Sequence, residues 1–263
     1  MDIYWYNGKL VNSRIIELDI YDSGFLYGAT VFTTLRVYNG SLDDSLTHWL
    51  AHYDRLNSTL QAFNWQQPDW LTVRKGAEVL INHYPVLRIT LFADGRELII
   101  GRNLPPNLAE NQKYGVVAVL ASAEFNRSLP LHKTGNYLSP LLAKSSFPSA
   151  QEAILVDSQG NWLETTTGNL WGFRDGCWWT PPLEAGILPG IMRLTLLNWL
   201  ESQQMPVKQD FWTKALSTEF EAIAYTNSVV EIIPIHTIHT PTGSLRYNPD
   251  HPSLLQLRGF FPT

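Results

Sequence analysis

The chain has 263 residues, of which 19 are Lys or Arg and 24 are Asp or Glu, giving a formal net charge of -5. Only 16% of residues are charged and 44% are hydrophobic, which excludes intrinsic disorder and allows one large core or two modest ones. No membrane-length apolar run or secretory signal is visible, and the single cysteine, Cys177, excludes an intrachain disulfide. The mild acidity argues against a nucleic-acid partner. We therefore expect a cytoplasmic globular protein without a membrane or nucleic-acid partner.

The N-terminal part is predicted to combine strands with two helices. Alternating residues and Asn-Gly or Asp-Gly turn dipeptides predict extended segments at 3–11, 30–42 and 86–101. Apolar side chains at helical spacing predict amphipathic helices over about 45–63 and 70–81. Residues 103–107 contain two prolines and are predicted to form a loop.

The C-terminal part repeats this mixture of strands and helices. Extended segments are predicted at 114–121, 152–156, 164–173, 219–228 and 229–235, with a tight hairpin at 173–179. Helices are predicted after residue 137, from Ile191 onward, and near 253–257. The polar, aperiodic stretch 122–136 is the best candidate for an interdomain crossing. We therefore expect an α+β protein with a small N-terminal domain at 1–120 and a larger C-terminal domain at 121–263.

Several common site motifs are missing from the sequence. The chain has no GxGxxG, GxxxxGK[ST], GxSxG or HExxH pattern. His48 and His52 are one helical turn apart, but no third metal ligand is evident, so they are expected to be solvated or partly packed histidines.

Four other features together indicate a different chemistry. Lys133 lies in a short polar segment, HKTGNYL, between apolar runs. Arg55 lies on the polar face of a predicted helix, and Glu164 precedes three threonines in a hydrophobic region. The GILPG segment leads into a helix that starts at Ile191, where free backbone N–H groups bind anions. An amine, a carboxylate, an arginine and a helix N-terminus are the parts needed to hold pyridoxal 5'-phosphate (PLP).

The order and wording of these motifs resemble the class IV aminotransferases, the fold-type IV PLP enzymes that include D-amino-acid aminotransferase. The resemblance spans nearly the whole chain and rests on six blocks in the family's order: DSGFLYGATVFTTLRVYNG, HWLAHYDRL, HKTGNYL, ETTTGNLW, AGILPGIMR and TNSVVEIIPI. Two departures are GAT at 28–30, where the family usually has GDG, and FADG at 92–95, where many members have Arg-Gly. The resemblance implies a two-domain α+β fold and a homodimer.

The resemblance also implies a role for individual residues. Lys133 is expected to be the Schiff-base lysine and proton shuttle, carried by the C-terminal domain. Glu164 is expected to pair with the pyridinium nitrogen and Arg55 to bind the phosphate. The remaining expected cofactor-binding residues are Tyr137, Asn227, Ser228 and the backbone N–H groups of Ile191 and Met192.

Two features favour a lyase over a transaminase. Phe32-Thr33-Thr34 resembles aminodeoxychorismate lyases, whereas the family's aminotransferases place Glu-Gly or Glu-Val after the aromatic residue. Asn227 also resembles the lyases, which have Asn at this position, where aminotransferases often have Gly. The expected reaction converts 4-amino-4-deoxychorismate to 4-aminobenzoate and pyruvate, with Lys133 as base and Thr34 as a proton-donating hydroxyl. The alternatives are a D-amino-acid or branched-chain amino-acid aminotransferase and a non-catalytic binding protein on the same fold.

Overall fold

The computed structural model describes residues 3–261. Contacts between residues divide the chain into two compact units. The first unit comprises Met1–Pro106 and His132–Asn136, and the second comprises Asn107–Leu131 and Tyr137–Thr263.

The first unit is built on an antiparallel sheet. Its strands are β1 (Ile3–Tyr6), β2 (Lys9–Asn12), β3 (Thr30–Arg36), β4 (Val86–Phe92) and β5 (Glu97–Arg102). They lie in the order β2-β1-β5-β4-β3, so β3 is at one edge. The predicted hairpins are present, and both residues of the Asn7-Gly8 turn have positive φ angles, as a tight hairpin requires.

The helices of this unit are α1 (Ser23–Tyr27), α2 (Trp49–Ala62) and α3 (Trp70–Leu80). Helices α2 and α3 cover one face of the sheet, whereas α1 buries none of its residues. Leu56 and Leu60 of α2 and Val73 of α3 pack with Val31 and Leu35 of β3 in one buried cluster. Helix α2 begins later than the expected residue 45, because a turn closes from Thr47 to Asp44 and His48 adopts a left-handed conformation with φ 54°.

The second unit contains a larger, mixed sheet. Its strands are β6 (Val116–Leu120), β7 (Glu152–Val156), β8 (Trp162–Thr165), β9 (Asn169–Arg174), β10 (Cys177–Thr180), β11 (Val207–Gln209), β12 (Ala222–Asn227), β13 (Glu231–Thr240) and β14 (Gly243–Arg246). The order is β11-β10-β9-β12-β13-β6-β7-β8, with β14 beside β13. Because β8 also pairs with β9, the strands from β9 through β13, β6 and β7 to β8 form a closed ring.

The helices of the second unit are α4 (Leu108–Tyr114), α5 (Leu138–Ser145), α6 (Ile191–Ser202), α7 (Lys214–Ser217) and α8 (Pro252–Arg258), with single 3₁₀ turns at Ala123–Phe125 and Leu183–Ala185. Helix α6 begins at the residue that the GILPG segment predicts. Helix α4 was not predicted, because Leu108 is its only buried residue and the segment lacks an apolar face. No described helix combines the length and the apolarity that a membrane crossing requires.

The contacts assign two segments differently from a division at residue 120. Residues 107–120 belong to the second unit, because β6 pairs with β13 and with β7. Residues 132–136, which contain Lys133, belong to the first unit, because Thr134 forms a bridge with Val31 of β3. The chain therefore changes unit after Pro106, inside the polar stretch 122–136 after Leu131, and again at the end of that stretch after Asn136.

Candidate active site

Lys133 lies on a short extended segment along the edge strand of the first unit. Its carbonyl oxygen accepts a hydrogen bond from the Phe32 N–H at 2.8 Å, and the Gly135 N–H donates to the Thr30 carbonyl at 2.6 Å. The Lys133 ammonium is 4.8 Å from the centroid of the Phe32 ring. Because side chains alternate across a strand, Thr34 projects from the same face of β3 as Phe32. A hydroxyl and an amine thus share this side of the strand.

Arg55 belongs to a cluster on the opposite face of β3. Its Nη2 donates to the Thr33 hydroxyl oxygen at 2.6 Å, and that oxygen is 2.5 Å from His52 Nδ1. Thr33 and His52 are buried. Burial lowers the pKa of His52 well below its ordinary value, and nearby cationic groups lower it further, in the order Arg55, His48 and Lys133. His52 is therefore neutral at physiological pH.

The histidine pair on α2 does not form part of a metal cluster. Within residues 3–261, no three His, Cys, Asp or Glu side chains are grouped so that they could hold a metal ion.

Glu164 is a buried carboxylate on β8 of the second unit. Its Oε1 accepts hydrogen bonds from Arg127 Nε at 3.0 Å and Nη2 at 2.6 Å. Its Oε2 accepts one from the Leu188 N–H at 3.1 Å, with Asn169 Nδ2 at 3.5 Å. An ionised carboxylate has about four acceptor positions. The Asn169 contact, at the limit of hydrogen-bond distance, is the weakest of the four, so Oε2 has one acceptor position that a ligand donor could take.

The start of α6 is shaped by Asn169. The Asn169 side chain donates from Nδ2 to the Leu188 carbonyl at 2.9 Å. A Cβ on Gly190 would lie only 1.9 Å from Asn169 Oδ1, so this position accommodates glycine alone without movement. No side chain caps the helix at Gly190. The first N–H groups of a helix have no intrahelical partner, so Ile191 and Met192 present donors suited to an anion.

Two further predicted residues contact the loop between β8 and β9. The Tyr137 hydroxyl donates to the Thr166 carbonyl at 2.5 Å, and Asn227 Nδ2 donates to the Thr167 carbonyl at 3.2 Å. The buried Glu152 accepts hydrogen bonds from the hydroxyls of both threonines. The loop that follows Glu164 is therefore fixed by side chains from several elements.

The predicted residues are distributed over both units. Lys133, Thr34 and Arg55 lie in the first, and Glu164, Tyr137, Ile191, Met192, Asn227 and Ser228 lie in the second. Ser228 is half-buried in the turn after β12. Their individual roles remain predictions.

Sequence reasoning missed three residues that surround the predicted ones. Arg127 pairs with Glu164, and Thr33 and His52 contact Arg55 or each other. Strand alternation gives a signal for Thr33, since it must project opposite Thr34, toward the side covered by α2. No comparable signal marks Arg127, because its segment is polar and aperiodic.

The chain matches the amino-transferase class IV family over residues 30–238, and it belongs to that family. It adopts the two-domain α+β fold of the fold-type IV enzymes. Members of this family are enzymes, so the expectation of an enzyme is confirmed and the alternative of a non-catalytic binding protein is wrong.

Relatives with different activities are similarly distant. The chain is 28% identical to the aminodeoxychorismate lyase of Bacillus subtilis, with 89% of this chain and 86% of the relative covered. It is 26% identical to a putative branched-chain-amino-acid aminotransferase of Methanocaldococcus jannaschii, with 90% and 88% covered. A putative branched-chain amino acid aminotransferase of Thermotoga maritima has a similar structure, with 22% identity, a TM-score of 0.83 and 98% and 94% coverage.

Proposed function

We propose that the chain is a PLP-dependent 4-amino-4-deoxychorismate lyase that produces 4-aminobenzoate and pyruvate for folate biosynthesis. The observation that carries this proposal is the Phe32-Thr33-Thr34 triplet on β3, with Thr34 on the Phe32 face and the Lys133 ammonium 4.8 Å from the Phe32 ring. A hydroxyl and an amine on one side of a strand are suited to a proton-transfer reaction on a single substrate.

The side chains fit the chemistry of PLP. In the second unit, Glu164 Oε2 can accept a hydrogen bond from a pyridinium N–H, and the uncapped start of α6 offers Ile191 and Met192 N–H groups to a phosphate. In the first unit, Arg55 supplies a guanidinium for a phosphate and Lys133 an amine for a carbonyl group. We assign supporting roles to the Ser228 hydroxyl at the phosphate and to Tyr137 and Asn227, which contact the loop after Glu164.

When bound, PLP would supply an electron sink for the electrons released on deprotonation. Lys133 removes the proton from ring carbon C4 of the substrate as general base. The C–O bond to the enolpyruvyl group breaks, and a proton from Thr34 or Lys133 at the enolpyruvyl methylene carbon gives pyruvate. Loss of the C4 proton and the ether substituent leaves the aromatic ring of 4-aminobenzoate. The proton taken and the proton given balance, so no amino acceptor is consumed.

An aminotransferase is the second candidate, and Arg88 is the residue suited to bind its substrate. Arg88 lies directly opposite Thr34 in the β3–β4 ladder, and its guanidinium carbon is 3.5 Å from the centroid of the Phe32 ring. A guanidinium in this position is suited to the α-carboxylate of an amino acid. It is equally suited to a carboxylate of aminodeoxychorismate, so Arg88 does not decide between the two reactions.

We also propose that the enzyme is a cytoplasmic homodimer. The segment around α1 exposes Ile15, Ile20, Tyr21, Phe25 and Tyr27, each at 69% or more. Exposed apolar residues in one segment are typical of a surface that a partner covers. Analytical ultracentrifugation is expected to give a mass near twice 29.9 kDa, and a monomer at all concentrations would contradict the dimer.

The proposed activity is tested by incubating the PLP-loaded protein with aminodeoxychorismate alone. We expect equal amounts of 4-aminobenzoate and pyruvate without any keto acid. A parallel incubation supplies D- or branched-chain amino acids with 2-oxoglutarate. Glutamate in the second incubation, with no product in the first, would establish the aminotransferase instead. The variant K75A, which changes an exposed lysine on α3, is the matched control for K133A, which is expected to be inactive in either assay.

A further inference from the structure

The cluster of Thr33, His52 and Arg55 has a defined direction of hydrogen bonding. A guanidinium only donates, so Thr33 Oγ1 accepts from Arg55 Nη2 at 2.6 Å. The hydroxyl proton of Thr33 then needs an acceptor, and His52 Nδ1 lies 2.5 Å from Oγ1. We assign Thr33 as the donor to an unprotonated Nδ1, which places the proton of the neutral imidazole on Nε2. The series of hydrogen bonds therefore runs from Arg55 through Thr33 to His52.

This arrangement is unfavourable for stability taken alone. His52 is only 1% exposed, and its Nε2 is buried without a hydrogen-bond partner among the described residues. A buried donor left unsatisfied destabilises a fold, and an apolar side chain of similar size would avoid that cost. The position therefore has a reason other than packing, and its contact with Thr33 connects it to Arg55.

We propose that Thr33 and His52 are positioning residues that fix the Arg55 guanidinium for the phosphate of PLP. This inference rests on the proposed phosphate-binding role of Arg55. An arginine side chain has large rotamer freedom, and ordering it in advance removes that entropic cost from binding. Thr33 fixes one guanidinium nitrogen, and His52 fixes the orientation of the Thr33 hydroxyl by accepting its proton. Neither residue needs to touch the cofactor.

The test compares the affinity of the full-length protein for PLP with its affinity for pyridoxal, which lacks the phosphate. Titration followed by absorbance gives both dissociation constants. We expect T33V to weaken PLP binding about tenfold, the effect of losing one charge-assisted hydrogen bond, and to change pyridoxal binding less than about twofold. T33S, which keeps the hydroxyl, is expected to restore the preference for PLP.

H52L tests the same series of hydrogen bonds from its other end. It leaves the Arg55–Thr33 hydrogen bond possible. It is expected to weaken PLP binding selectively, while the free energy of unfolding stays equal or rises because the unpaired donor is gone. T47V is the control, since Thr47 is also buried and its hydroxyl also makes two hydrogen bonds, with Tyr38 and Ser41. Its PLP-to-pyridoxal affinity ratio is expected to stay at the wild-type value.

The outcomes separate this inference from the proposed function. If R55A itself leaves the PLP-to-pyridoxal ratio unchanged, the phosphate role of Arg55 is wrong and this inference falls with it. If R55A abolishes the preference but T33V and H52L retain it, only the positioning role is overturned. An equal loss of PLP and pyridoxal binding in T33V also overturns it, since that result indicates general damage. Nitrogen-15 NMR is expected to show protonated Nε2 and unprotonated Nδ1 for His52. The opposite tautomer would contradict the direction of hydrogen bonding from Arg55 through Thr33 to His52.

Discussion

Arg127 binds Glu164 through two hydrogen bonds to one carboxylate oxygen, 3.0 Å from Nε and 2.6 Å from Nη2. The two side chains are only 7% and 6% exposed. Burying a carboxylate is costly unless it is paired and hydrogen-bonded, so Arg127 stabilises the negative charge of Glu164 inside the second unit. The same two hydrogen bonds hold the carboxylate in place for the proposed contact with a pyridinium nitrogen.

The Arg127–Glu164 pair predicts a large loss of stability in R127M. Removing one partner leaves a buried charge unpaired, which lowers the free energy of unfolding by about 3–5 kcal/mol. R174M removes an exposed ion pair with Glu219 in the same unit and should cost at most about 1 kcal/mol. Urea denaturation measures both. The double variant R127M/E164Q is expected to recover part of the loss, and equal losses in the two single variants would contradict this account of the pair.

Gly190 predicts a specific defect in phosphate binding. A Cβ at this position would lie 1.9 Å from Asn169 Oδ1, so G190A must displace either Asn169 or the first turn of α6. We expect PLP binding to weaken about tenfold, the effect of disturbing one or two hydrogen bonds to a charged group.

G176A is the control for G190A. A Cβ on Gly176 meets no atom within 4 Å, although its φ of 73° makes alanine strained there. It is expected to cost about 1–2 kcal/mol of stability without changing PLP affinity. Equal PLP dissociation constants for G190A and the wild type would contradict the proposed anion-binding role of this helix start.

Thr34 predicts a defect in turnover rather than in cofactor binding. T34V keeps the shape of the side chain and removes the hydroxyl, so the lyase rate is expected to fall about a hundredfold or more if Thr34 transfers the proton. T34S should retain most of the activity, and PLP affinity should stay unchanged in both variants. A T34V enzyme with the wild-type rate would leave the proton transfer to Lys133 alone.

Burial of His52 predicts a pH dependence of stability. Its folded-state pKa lies well below the ordinary value, in a setting that includes Arg55, His48 and Lys133. The unfolded chain then binds more protons below about pH 6.5, so the free energy of unfolding should fall as pH decreases from about 7 toward 5.

The control for this pH dependence is a comparison of histidine variants. H52L should lose the His52 contribution, so its stability should fall less steeply over the same pH range. H83Q, which changes an exposed histidine of the same unit, should follow the wild type. Parallel pH curves for H52L and the wild type would mean that His52 is protonated equally in the folded and unfolded states.

Much of the fold could be predicted because local patterns agree with it. The Asn7-Gly8 hairpin, the amphipathic helix α3 and the start of α6 at Ile191 all follow from turn residues or periodic apolar positions. Helix α4 could not be predicted, since it buries one residue and is held mainly by its contact with β13. The pairing of β6 with β13 joins residues that are more than 110 positions apart in the sequence, so no local pattern could predict it.

Some residues of the candidate site could likewise be predicted from the sequence, and others could not. Lys133, Glu164 and Arg55 are recognisable because each lies in a distinctive block of sequence. Arg127 and Thr33 are defined only by the partners they meet, which lie 37 and 22 residues away from them. A buried carboxylate implies a partner, but not which arginine supplies it.

The assignment of Lys133 is tested most directly by reducing the PLP-loaded protein with sodium borohydride and mapping the modified peptide by mass spectrometry. We expect a pyridoxyl phosphate group on Lys133 in the wild type and in K75A, and no stable label in K133A. Labelling of another lysine, or a folded wild-type protein that binds PLP without any covalent label, would contradict the central role of Lys133.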